Sequence, residues 1–166
     1  IRGPKEAQTG SLVTLLGLVD QFQNPRVKKI VSSYSETIHY FGPESNALVA
    51  KLLNNYVTCV TATVLIDVIE AARENHVDLH KMTEILMSSA ARSGTLEKMV
   101  IPILGEDYKG HLFSVDNAIK DLVLVSQIVG KQDSDLAFAA ASKLSLREHS
   151  NETVLSELLK PIGEYS

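Results

Sequence analysis

The sequence predicts a mainly α protein: an all-helical body with one long buried helix, preceded by a short α/β piece. Three observations predict it. Residues 44–75 contain no glycine or proline and are apolar on nearly every side between Ala47 and Ile69, which suits a helix buried on all its faces. Downstream, apolar residues recur at helical spacing between N-cap and stop signals. Upstream, two β-branched runs flank one helical stretch, and Gly42-Pro43 punctuates its end. On this reading residues 1–43 form the α/β piece and residues 44–166 the helical domain.

Each element has its own local cause. SLVTLLGLV (11–19), bounded by Gly10 and Asp20, suits a buried strand. In NPRVKKIVSSYSE (24–36), Asn24 can cap a helix that has Pro25 at its first position. TIHYF (37–41) alternates and is rich in β-branched and aromatic residues, so it reads as a second short strand. The long helix ends at Asn75 and His76. Asp78 can cap LHKMTEILMSS (79–89). Ser93-Gly94 breaks the pattern, and TLEKMVIPIL (95–104) is helical up to Pro102. Ser114 or Asp116 can open a helix running to about Val129 and Gly130. Asp133 or Ser134 can cap the Ala-rich LAFAAASKLSLRE (136–148), and Asn151 can open a last helix, ETVLSELLKP, stopped by Pro161 and Gly163.

Composition narrows the function classes. The net charge is −4 and no basic cluster exceeds Lys28-Lys29, so a nucleic-acid partner is not expected. The single cysteine, Cys59, forbids an intrachain disulfide and gives no sign of an oxidising compartment. The longest uncharged apolar stretch runs from Leu52 to Ile66 and includes two Asn and three Thr. A membrane span needs about 20 predominantly apolar residues, so this stretch reads as a core helix and no membrane association is expected. The chain begins Ile-Arg-Gly-Pro with no signal or transit pattern. It reads as a processed or excised piece of a cytoplasmic protein.

Chemistry centres on KLLNN (51–55). Lys51 is the only charged residue between Glu44 and Asp67. It lies four residues before Asn55, so on a helix both project from one face, with Asn54 beside them. A lysine in apolar surroundings is costly unless it is paired or faces a cleft, and desolvation moves its pKa toward general acid/base range. The competing reading is a lysine that snorkels to the surface beside ordinary exposed amides, and the pattern alone favours it. Lys120-Asp121 is the second charged insertion in an apolar helix. Adjacent helical residues diverge by about 100°, so the two do not face one partner, and a solvated edge is the simpler account. GEDYKG (105–110) has P-loop glycine spacing but continues His111-Leu112 where Lys-Ser/Thr is required. No GxGxxG occurs, so there is no dinucleotide fingerprint. His76 and His80 straddle a helix boundary, so no metal site is expected. Cys59 reads as a small core residue.

With these residues in view, the chain resembles the C-terminal part of the β-hydroxyacid dehydrogenases, the group containing 3-hydroxyisobutyrate dehydrogenase and tartronate semialdehyde reductase. RGPKEAQTGSL (2–12) is similar to the substrate-binding segment with its A-x-x-G-x-L. GPESNALVAKLLNN (42–55) is similar to G-x-x-G-x-G-x-x-x-K-x-x-N-N, with Ser45 and Ala47 in place of two glycines. FSVDNAIKDLVL (113–124) matches F-x(6)-K-D-L. The resemblance implies that residues 1–43 are the tail of a truncated Rossmann-type nucleotide-binding domain. It implies NAD or NADP as cofactor, a small hydroxy-acid substrate and a homo-oligomer formed through the helical domain. It makes Lys51 the catalytic general acid/base, Asn55, Asn54 and Gly3 substrate-binding, and Phe113, Lys120 and Asp121 cofactor-binding, and it reverses the odds on Lys51. Two alternatives stay open: a non-catalytic self-association module and a pseudoenzyme domain of the same family.

Overall fold

The apolar, β-branched run after Gly10 forms a strand, β1 (Leu12–Leu16), behind a one-turn helix, α1 (Pro4–Gln8). The computed structural model describes residues 4–18, 24–129 and 136–161. Gly3, Arg2 and the proposed signals at Asp20, Gly130, Asp133, Ser134 and Gly163 lie outside the described residues. The chain divides into two compact units, Ile1–Asn54 and Asn55–Ser166.

In the first unit Asn24 caps α2 (Pro25–Ser32) by accepting from Arg26 N at 2.9 Å. Strand β2 (Ser35–Tyr40) follows and pairs in parallel with β1, Val13 opposite Thr37 and Leu16 opposite Tyr40. Strand–helix–strand is the minimal way to connect parallel neighbours. Hydroxyls of Thr14 and Ser35 bond across the pair at 2.6 Å. Both strands are mostly half-buried. The long helix α3 (Glu44–Glu74) begins here. Asn46 Nδ2 donates back to the Phe41 carbonyl at 3.1 Å, tying its first turn to the end of β2. Gly17, just past β1, is required by close approach: a Cβ there would stand 2.4 Å from Glu44 Cα.

The second unit gathers α4 (Leu79–Ser88), α5 (Gly94–Ile103), α6 (Val115–Val129) and α7 (Leu136–Ser145) with the remainder of α3. Its core includes Ile66 and Ile69 of α3, Leu96 and Met99 of α5, Leu122 of α6 and Leu144 of α7, each at most 1% exposed. Asp78 caps α4, accepting from His80 and Lys81 backbone N–H groups, and Ser93 caps α5. Hence Ser93-Gly94 is a start as well as a break, and α5 continues through Pro102 to Ile103. Gly110 packs so closely on the Lys98 carbonyl that a Cβ would lie 2.2 Å away.

Two expectations are corrected. The last segment is a five-residue 3-10 helix, Leu155–Leu159, not a full helix from Asn151. Val154 is held in an antiparallel bridge with Ser114, and Val115 N and Leu155 N donate to Thr153 and Phe113 carbonyls. That pairing removes the first residues from any helix, and Pro161 closes the rest. The second correction concerns α3, which is not buried on all faces. Cys59, Ala62, Ile66 and Ile69 form a buried stripe, whereas Leu48 is 61%, Val57 67% and Val64 51% exposed. Apolar residues all round a helix mark faces that can be covered, and among the described residues of α3 these three are not. By length and composition alone, α3 is also long and apolar enough to cross a membrane, with a mean hydropathy of 1.5 over its most apolar window. Core helices of soluble proteins pass the same test.

Candidate active site

Lys51 lies two turns into α3, half-buried. Within the first unit it lines an open cleft of about 330 Å³ with Thr14 and Leu15 of β1 and Ala47 and Leu48 of α3. Among the described residues it is the one charged side chain on that wall. The geometry comes from the Gly17–Glu44 approach and the Asn46–Phe41 bond, which bring the head of α3 against β1. An ammonium against apolar and hydroxyl groups can exchange a proton with a small polar ligand.

In the second unit, Asn55 Nδ2 donates to Asp121 Oδ2 at 2.7 Å. Asp121 is 2% exposed and sits on the buried stripe of α6 with Ala118, Leu122 and Val125. Lys120 lies on the solvent side of the helix, its side chain 60% exposed. Its Nζ donates to Asn117 Oδ1 at 3.1 Å and stands 3.6 Å from Asp121 Oδ1. A buried carboxylate is tolerated because it is hydrogen-bonded and near a cation. Phe113 is half-buried, and its carbonyl accepts from Leu155 N just before Ser114 caps α6. Asn54 is exposed, and Gly3 lies outside the described residues. Thus the structure brings Asn55, Lys120 and Asp121 together around one carboxylate. Among the described residues no group of three His, Cys, Asp or Glu could hold a metal ion. His76 ends α3 in a left-handed conformation, φ 56°, so its spacing to His80 is not helical.

The sequence reading missed Thr14, Leu15, Ala47 and Leu48 as cleft residues. Ala47 and Leu48 could have been found, since they precede Lys51 by four and three positions on one helix. Thr14 and Leu15 carried no signal beyond an apolar strand.

A family described as the NAD-binding family of NADP-dependent 3-hydroxyisobutyrate dehydrogenase matches residues 46–154, more than half of the chain. The chain belongs to this family. The 3-hydroxyisobutyrate dehydrogenase family is one of NAD(P)-using oxidoreductases, and the matched span contains Lys51, Asn54, Asn55, Phe113, Lys120 and Asp121. Among solved structures, Mycobacterium tuberculosis 3-hydroxyisobutyrate dehydrogenase with L-serine aligns at TM-score 0.81 and 17% identity, over 96% of this chain and 57% of that one. Psf3 in complex with NADP+ and 2-OPP aligns at 0.75 and 18%, over 96% and 56%. The 3-hydroxyisobutyrate dehydrogenase ygbJ from Salmonella typhimurium aligns at 0.71 and 18%, over 87% and 51%. At these identities the likeness is one of fold. The chain spans about half the length of the structures it matches. No curated protein matches it in sequence.

Proposed function

We propose that the chain is the carboxy-terminal part of an NAD(P)-dependent dehydrogenase that interconverts a small β-hydroxy acid and its carbonyl form, with Lys51 as general acid/base. The observation that carries the reading is Lys51 itself. It is a charged side chain on the wall of a cleft, within a span that matches a dehydrogenase family. The carboxy-terminal placement is supported by the first unit, whose two parallel strands stay mostly half-buried. Parallel sheets ordinarily occur in larger layers covered on both faces, so we read residues 1–43 as the tail of a Rossmann-type domain.

In carbonyl reduction Lys51 donates a proton to the oxygen that becomes the hydroxyl; in the reverse direction it accepts that proton. Asn55, one turn further along α3, hydrogen-bonds the substrate and fixes its orientation, which lowers the entropic part of the barrier. Asn54 and the Gly3 segment complete the substrate contacts. Bound NAD or NADP supplies or accepts the hydride. The exposed Lys120 and half-buried Phe113 fit a surface that meets such a cofactor. The buried Asp121 carboxylate fits that role less well, because its Oδ2 already accepts from Asn55. The substrate is a small hydroxy acid, and the location is cytoplasmic. The test is an assay of the full-length protein against a panel of small hydroxy acids with both cofactors. Lys51→Ala should abolish turnover and leave cofactor binding intact; near-normal turnover would sink the reading.

A second reading, self-association through the helical domain, is favoured by the exposed apolar residues Leu53, Val57 and Val64 on α3. It is compatible with the enzyme as a homo-oligomer, and without turnover it would leave a non-catalytic module or pseudoenzyme. Sedimentation of the wild type against Val57→Asp tests it: an unchanged, monomeric mass for both would count against it.

A further inference from the structure

Strand β1 brings a hydroxyl to the cleft that Lys51 lines. Thr14 is on the wall of that cleft, and its Oγ1 lies 2.6 Å from Ser35 Oγ of β2. Leu12 and Thr14 share one face of β1, and Ser35 stands opposite Leu12, so the two hydroxyls meet on that face. The register of the strand pair shifts here, between Leu12 and Val13, an irregularity of the kind that re-aims side chains.

Two hydroxyls carry two protons, and the bond between them uses one. Burial decides which. Ser35 is 9% exposed, whereas Thr14 is half-buried, and Thr14 is the side-chain partner of Ser35 among the described residues. If Thr14 donated, the Ser35 proton would be buried without an acceptor, which is the costly arrangement. With Ser35 donating, the Thr14 oxygen accepts and its own proton is left for the cleft. From this geometry we infer that Thr14 is a further substrate-binding residue, an oriented hydrogen-bond donor for a carboxylate oxygen of the substrate, and that Ser35 is the positioning residue behind it. The inference rests on the proposed dehydrogenase reading and deepens it by naming the group that Thr14 recognises. A carboxylate only accepts, so it suits an oriented donor, and its charge strengthens the bond. It also stays an acceptor throughout the reaction. The reacting oxygen is served by Lys51 instead, whose proton it takes up or returns.

The test uses the full-length protein with the panel of small hydroxy acids, as wild type, Lys51→Ala, Thr14→Val, Thr14→Ala, Thr14→Ser and Ser35→Ala. Thr14→Val keeps the β-branched shape that suits a strand and removes only the hydroxyl. It lowers kcat/KM for the hydroxy acid about tenfold, the low end of what a hydrogen bond to a charged group contributes. Because the carboxylate is held alike in ground and transition states, the loss appears in KM, and kcat stays within about twofold. Thr14→Ala gives the same split and serves should the valine variant not fold. Thr14→Ser restores a hydroxyl and recovers most of the loss. Ser35→Ala costs only about threefold, because Thr14 keeps its donor and loses only its orientation. Were the inter-strand bond merely structural, Ser35→Ala and Thr14→Val would do equal damage. If wild type turns over hydroxy acids and Lys51→Ala does not, but Thr14→Val matches wild type, loses kcat and not KM, or is no worse than Ser35→Ala, the inference is overturned and the proposed function stands. If wild type turns over none of the hydroxy acids, both fall.

Discussion

Replacing Arg147 with methionine should destabilise the second unit by about 2 kcal/mol at neutral pH and by much less in acid. Arg147, just past α7, reaches Glu70 on α3 with two parallel bonds, Nη1 to Oε1 at 2.5 Å and Nη2 to Oε2 at 2.7 Å. Asp67, which also pairs with Lys143, lies 3.7 Å from Nη2. Exposed ion pairs contribute about 0–1 kcal/mol, and single hydrogen bonds to charged groups about 1.5–3 kcal/mol. The Arg147 and Glu70 side chains are 21% and 26% exposed, so the pair falls between those limits. Methionine keeps much of the apolar stem, so the loss reports on the fork and not on packing. The pH dependence follows from Glu70. Its carboxyl is held below the usual range, first by the Arg147 hydrogen bonds, against the opposing effect of burial, and then by the charges of Arg147, Lys143 and Arg73. A pKa lowered on folding contributes stability above the unfolded value, and that contribution is lost as pH falls through the folded value. The gap between wild type and Arg147→Met should therefore be widest at pH 7 and narrow below about pH 4. Urea unfolding followed by circular dichroism measures it. A gap that is absent at pH 7, or equally wide in acid, would refute the reasoning.

Leu122→Ala should cost about 3 kcal/mol in the same unfolding assay, because Leu122 is fully buried on the stripe that also carries Asp121; a loss under about 1 kcal/mol would mean that the site relaxes around the change. Gly17→Ala forces a Cβ to 2.4 Å from Glu44 Cα and 2.9 Å from its carbonyl oxygen. Since backbone must move, melting should fall by the equivalent of about 1–3 kcal/mol, and an unchanged melting temperature would show that the head of α3 shifts freely. His111 is buried with no hydrogen-bond partner at Nδ1. Burial, and secondarily the charge of Lys98, pushes its imidazole below its ordinary pKa. The unfolded chain thus takes up a proton as pH falls through about 6.5 while the folded chain resists it. Wild type should lose stability below that pH relative to His111→Asn, and parallel pH profiles of the two urea midpoints would contradict this.

Most helices were legible because their causes are local. Asn24, Asp78 and Ser93 cap as their residue types suggest, and the run without glycine or proline after Pro43 is one helix of 31 residues. The failures have long-range causes. Nothing in ETVLSELLK announces that Val154 pairs with Ser114. The candidate site divides in the same way. Lys51 and Asn55 could be put on one helical face from spacing alone, whereas Thr14 and Leu15 join Lys51 only because β1 packs beside the head of α3.

By itself the sequence determined that the chain is mainly helical, that an α/β piece comes first, and that Lys51, Asn55, Lys120 and Asp121 are the polar residues set into apolar helices. Those properties depend on neighbours within one or two turns, where composition and spacing act directly. Tertiary structure decided what each polar residue does. Asp121 turns inward to hold Asn55 while Lys120 turns out, and Leu48, Val57 and Val64 of α3 stay exposed. The physical reason is that a side chain's role depends on which distant element supplies its partner, and hydrophobic periodicity marks a face for burial without naming what buries it.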